Sequence, residues 1–138
     1  MRKNSQGFTL VEILITIVIL AVVAGLATPS YFNAVERARS NEAIVNLNII
    51  HMGEKLFALN NNGAYWGPGV TTIAAANAAN ALNTDMTAVY YTTISVTTPA
   101  ANSYRARLTR NAFAGGNGAS WYQYDYTAGN AAPVQTNG

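Results

Sequence analysis

The chain has 138 residues, half of them apolar, which suffices for one domain with a modest core plus an appendage. Eight basic and six acidic side chains are too evenly balanced for a general polyanion binder, so partners are expected to be met by shape and apolar contact. Cysteine is absent, which excludes disulfides and thiolate metal sites and leaves burial and sheet pairing to hold the fold.

The chain starts with a short basic stretch containing Arg2 and Lys3, followed by an apolar run. Between Glu12 and Glu36 there is no charged residue, and from Ile13 to Ala27 only Thr16 and Gly25 interrupt Ile, Leu, Val and Ala. As a helix, Phe8 to Thr28 is about 31 Å long, roughly the hydrocarbon thickness of a bilayer. The basic end is expected to stay in the cytoplasm and the rest of the chain to lie outside. A conventional secretory signal is the simpler alternative, with Gly25 and Ala27 as the small residues before a cut at Thr28.

Glu12 argues against that alternative. A carboxylate inside an apolar helix costs on the order of 2.5 to 3.5 kcal/mol on insertion scales, and no Lys or Arg lies within a turn or two of it. A cut between Gly7 and Phe8 would create an amino group four residues, one helical turn, before Glu12, giving it a cation on its own chain or a neighbour.

The leader MRKNSQG followed by FTLVEILITIVIL resembles the class III signal of type IV pilins and pseudopilins, with Gly7, Phe8, Thr9, Leu10 and Glu12 at the family's positions. The resemblance covers about the first quarter of the chain. It implies that prepilin peptidase cuts after Gly7 and methylates the amine of Phe8. It also implies that Glu12 neutralises that amine on an adjacent subunit during assembly. The domain division that follows is a leader, 1–7, an apolar transmembrane and filament-core helix, 8–30, and a globular head, 31–138. Loss of the leader leaves six basic against six acidic side chains.

Pro29 removes a hydrogen bond to the carbonyl of Gly25, so residues 25 to 29 are the expected site of a kink or local melting. Beyond it, Tyr31, Val35, Ala38, Val45, Ile49, Met52, Leu56 and Leu59 recur at helical spacing, with Glu42 the one break. One long helix to about Asn60 is predicted, its stripe facing the head or a partner helix. His51 is read as a surface or satisfied structural histidine, with Lys55 rather than a ligand at i+4.

Asn60 to Gly63 ends the helix, and Tyr65 and Trp66 in the next loop are expected to cover it. Residues 70 to 88, rich in Ala, Asn and Thr, form a short helix or an irregular loop. Three strand-like runs follow, at 88–98, 103–109 and 120–127, with turns at 98–102 and 114–118. In the second run Tyr104, Ala106 and Leu108 alternate with Arg105 and Arg107; in the third, Tyr122, Tyr124 and Tyr126 share one face. The expected fold class is α+β: a long N-terminal helix packed on an antiparallel sheet of about three strands, as in type IV pilins.

Arg105 and Arg107, with Arg110, are placed to contact phosphates, although arginines on a solvated strand are the commoner case and nucleic acid is not the expected partner. The Gly115 to Gly118 stretch lacks the Lys and Ser or Thr of a phosphate loop and reads as a hairpin turn. One histidine, no cysteine and the isolated Asp85 and Asp125 offer no catalytic set, so no enzyme activity, cofactor or metal is expected.

The resemblance implies a structural subunit of a type IV pilus, its major one, serving adhesion, twitching motility or DNA uptake. Its partners would be copies of itself, prepilin peptidase, and the assembly platform with its ATPase motor. It would sit in the inner membrane as a precursor and on the cell surface as a filament. Two alternatives stand beside it: a pseudopilin of type II secretion, or a minor pilin binding DNA or surfaces. Major pseudopilins carry an acidic calcium-binding loop near the C-terminus, and the tail AGNAAPVQTNG has no carboxylate side chain. Many pilins close this region with a disulfide; without one, the tail is expected to be held by contacts of Pro133 and Val134, by neighbours, or not at all.

Overall fold

A computed structural model describes residues 8–111, 120–130 and 132–138. The order is α1 (Leu10–Asn60), β1 (Gly69–Thr72), α2 (Ile73–Asn77), β2 (Thr93–Thr97), β3 (Ser103–Thr109), β4 (Trp121–Thr127) and β5 (Val134–Asn137). The architecture is α+β, a long N-terminal helix and an antiparallel sheet. The chain divides into two compact units, one ending at Val35 and the other Glu36–Gly138.

The first unit is the apolar half of α1, long and apolar enough to cross a membrane. Its large side chains are exposed, from Phe8 through Leu26. The helix runs unbroken through Gly25 and Pro29. The Thr28 hydroxyl donates to the Ala24 carbonyl at 2.7 Å, a back-bond within the turn that Pro29 weakens.

In the second unit the sheet has five strands, not three, in the order β1-β2-β3-β4-β5, each antiparallel to its neighbour. The two additional strands are four-residue edges, GVTT and VQTN, too short and polar to show a period. The tail is held by the sheet: Val134 to Asn137 pairs with Asp125 to Tyr122. The first predicted strand run also shrinks to Thr93–Thr97. The amides of Val89, Tyr90 and Tyr91 turn instead to one oxygen of Glu42, at 2.8, 2.9 and 3.4 Å.

The upper half of α1 buries Ala43, Leu47 and Ile50 against Ile94, Val96, Tyr104, Ala106, Leu108 and the β4 tyrosines. The predicted core stripe is therefore on the wrong face in part: Val45, Met52, Leu56 and Leu59 are exposed. The buried face carries Asn46, Gly53 and Glu54 among its apolar residues, which masks it in a hydrophobicity count. Each of the three has a local reason. Asn46 donates to the Thr87 carbonyl at 2.8 Å. Glu54 accepts from the Trp66 amide at 2.9 Å. A β-carbon on Gly53 would lie 2.8 Å from the Thr84 methyl, so only glycine lets the 82–84 loop pack there.

Helix α1 closes with Asn62 at φ 55° and a bond from the Gly63 amide to the Ala58 carbonyl, a left-handed cap. The 77–86 loop is organised by Asn77, whose carboxamide bonds both the amide and the carbonyl of Met86. The predicted turn at 114–118 lies outside the described residues.

Candidate functional site

The functional residues read from the sequence lie in two places, the start of α1 and the sheet surface. At the helix start, Gly7 lies outside the described residues, and Phe8 is exposed. Thr9 is the N-cap. Its hydroxyl accepts from the Glu12 amide at 3.2 Å, while Glu12 Oε2 accepts from the Thr9 amide at 3.1 Å and the Thr9 hydroxyl at 3.0 Å. This is a reciprocal capping box, T-x-x-E. Glu12, with no Lys or Arg within a turn or two, thus has hydrogen-bond partners of its own chain at Thr9. The spacing Thr9-Leu10-Val11-Glu12 carries this capping signal in the sequence itself. One oxygen, Oε2, is spent on the cap, and Oε1 has no partner among the described residues. The positive end of the helix dipole adds to the favourable field on the carboxylate.

In the head, Arg105 and Arg107 project from the sheet face opposite the helix. Arg105 Nε donates to Asp125 Oδ1, and Arg107 Nε donates to Gln123 Oε1 at 2.9 Å while its guanidinium lies 4.5 Å from the Trp121 ring centroid. Gln123 in turn donates to Asp125 at 2.7 Å. Arg110 is not with them. It forms a two-pronged pair with Glu36 at 2.7 and 3.2 Å, largely buried, so its expected phosphate role is overturned. The Arg110 hydrogen bonds hold the Glu36 carboxyl below its ordinary range, against the opposing effect of burial.

His51 is a satisfied structural histidine. Its Nδ1 is hydrogen-bonded with the Tyr104 hydroxyl, and burial lowers its proton affinity. Around it Tyr65, Tyr104 and Tyr126 form an edge-on and tilted aromatic cluster with centroids 5.3 to 6.1 Å apart. Glu54, fully buried beside this cluster, has one oxygen on the Trp66 amide and the other without a hydrogen bond among the described residues. Burial pushes its carboxyl up to about 8, so it is largely protonated at neutral pH. Nothing in the sequence marked Glu54, since one acid among charged helix residues reads as solvated. Among the described residues no group of three His, Cys, Asp or Glu is placed to hold a metal ion.

Residues 2–28 match the prokaryotic N-terminal methylation motif. Over this N-terminal segment the chain is similar to type IV pilins and pseudopilins. It is similar to the type IV major pilin protein PilA of Myxococcus xanthus, 32% identical over 56 residues, 41% of this chain and 26% of that protein. It is similar as well to the type IV wide pilus major component PilA4 of Thermus thermophilus, 33% identical over 60 residues, 44% of this chain and 46% of that protein. The type II secretion system core protein G of Aeromonas hydrophila is 30% identical over 61 residues, 44% of this chain and 43% of that protein. The chain thus spans less than half the length of the curated relatives it matches. No solved structure matches it with significance.

Proposed function

We propose that this chain is a pilin, a non-catalytic structural subunit of a type IV pilus filament and its major component. The observation that carries the reading is the T-x-x-E helix start followed by an apolar helix, with residues 2–28 matching the methylation motif. Prepilin peptidase cuts between Gly7 and Phe8 and methylates the Phe8 amine. Glu12 Oε1, left open by the capping box, receives that amine from an adjacent subunit.

The precursor sits in the inner membrane through residues 8–30 and is extracted into a cell-surface filament by the assembly platform and its ATPase. Gly25 and Pro29 are the place where the helix loosens when packed. In the head, Val45, Met52, Leu56 and Leu59 form an exposed apolar row at spacings of seven, four and three on the face away from the sheet. Such a row fits the helices of neighbouring copies, which is what a polymer with its helices inside needs.

The N-terminal residue of the mature protein tests the processing step. N-methylated phenylalanine at position 8 is expected; a mature chain starting at Thr28 would mean an ordinary secreted protein. The second reading, a pseudopilin of type II secretion, is favoured by the relatives named core protein G. A deletion strain decides between them. Loss of surface fibres with normal exoprotein release supports the pilus, and the reverse pattern supports secretion.

A further inference from the structure

We infer that the outer face of the sheet is a binding surface for an acidic polysaccharide, read by Arg105 and Arg107. The two arginines lie two residues apart on β3, about 6.7 Å along one face. Each is fixed by its Nε, to Asp125 and Gln123 respectively. Among the described residues the terminal nitrogens of neither guanidinium have a hydrogen-bond partner. Those nitrogens form the two-pronged fork that matches a carboxylate. A polymer with carboxylates at regular intervals engages both forks at once.

Charge on this face is not balanced within the head. Asp125 is shared by the network and leaves two cations against one anion. Of the other head acids, Glu36 is paired with Arg110, Glu42 accepts from the 89–91 amides, Glu54 is buried and Asp85 is exposed in the 77–86 loop. Around the arginines the face presents hydroxyls: Thr97 stands opposite Arg105, and Thr93 stands opposite Thr109. Hydroxyls that both donate and accept suit sugar hydroxyl groups.

Single-stranded nucleic acid fits this surface less well because its bases need an open aromatic platform. Trp121 does not offer one: Arg107 lies over its ring, and Gly138 packs so close that a β-carbon there would be 2.8 Å from the ring. Tyr122, Tyr124 and Tyr126 are buried in the core.

This inference goes beyond the polymerisation reading, since a monomer in detergent presents the same face. The test is a titration of the detergent-solubilised full chain with polygalacturonate, with dextran and an oligothymidylate as comparators. Saturable binding to polygalacturonate and not to dextran is expected, weakening roughly fivefold to tenfold between 50 and 200 mM salt as for about two neutralised charges. The double variant Arg105→Gln with Arg107→Gln should lose at least tenfold in affinity with an unchanged far-ultraviolet circular dichroism spectrum. Because that double change also breaks the surface network, Asp125→Asn is the second variant. It keeps an acceptor for Arg105, removes the opposing charge, and should tighten binding severalfold. Unchanged or weaker binding by Asp125→Asn, binding indifferent to the arginines, or tighter binding to oligothymidylate than to polygalacturonate would overturn the proposal.

Discussion

Replacing Glu54 with Gln should flatten the pH dependence of stability. In the folded state the Glu54 carboxyl holds its proton up to about pH 8, whereas in the unfolded chain it ionises near 4.5. Between those values the folded state binds more protons, so stability falls as pH rises. His51 acts in the opposite sense, because its lowered proton affinity makes the unfolded chain the better proton binder as pH falls below 6.5. Glu36, lowered by Arg110, likewise acts only at and below the ordinary carboxylate range. From pH 6.5 to 8 Glu54 therefore dominates. At 1.36 kcal/mol per unit, less the partial ionisation near pH 8, the wild-type chain should lose about 1.5 to 2 kcal/mol over that interval. Glu54→Gln keeps an acceptor for the Trp66 amide and cannot ionise, so its stability should change by less than about 0.5 kcal/mol over the same range. Urea unfolding of the detergent-solubilised chain, followed by tryptophan fluorescence at pH 6.5, 7.25 and 8, reads both slopes. A wild-type stability that is flat or rises over this range, or a variant slope equal to the wild type's, refutes the account of Glu54 as a buried protonated acid.

Leu56→Glu on the exposed helix row should leave the head's thermal midpoint within a few degrees and abolish filaments seen by electron microscopy; normal filaments would remove that row from the assembly surface. Arg110→Ala leaves the Glu36 carboxylate without its two-pronged partner and should destabilise the head by about 2 kcal/mol in the same urea assay, against under 0.5 kcal/mol for the exposed Arg37→Ala. Glu12→Gln should insert and be cleaved normally but assemble poorly, with N-terminal sequencing and sheared-filament yield as the two readouts. Thr9→Ala should weaken the helix start by about 1 kcal/mol and lower filament yield less than Glu12→Gln does. Filaments at wild-type yield from Glu12→Gln would end the role given to that carboxylate.

The α+β class, the long helix to Asn60 and the strand at Ser103–Thr109 were legible because each rests on a sustained period or strong alternation. The edge strands were not, because their pairing is set by the neighbours β2 and β4, and four residues with a single valine each hold no period of their own. The helix face was misread for a related reason. Two apolar rows run along the upper half of α1, and the row with fewer polar interruptions is the exposed one. Burial went to the face whose polar residues find partners in the loops, as Asn46 does at Thr87 and Glu54 does at Trp66. At the candidate site, the motif residues were legible by position, but the Thr9 hydrogen bonds that aim Glu12 are a matter of local geometry.

Glu42 shows how these levels connect. In the sequence it is the single break in an apolar stripe, which suggests a defect in the helix's packing surface. In the fold its carboxylate gathers three successive amides at 89 to 91, and that turns the chain into β2 only at Thr93. A buried backbone amide without an acceptor costs on the order of 1 to 3 kcal/mol, so one acid serving two or three of them fixes the loop's path onto the helix. The same accounting covers Glu54 at the Trp66 amide, while Glu36 is held by the Arg110 guanidinium. Three of the five head acids are thus committed to structure, leaving Asp85 and Asp125. In this head the carboxylates of Glu36, Glu42 and Glu54 serve to hold loops and side chains in place. Its remaining chemistry lies on surfaces: the exposed apolar row of α1, which suits contact between copies, and the arginine face of the sheet, which suits an anionic partner.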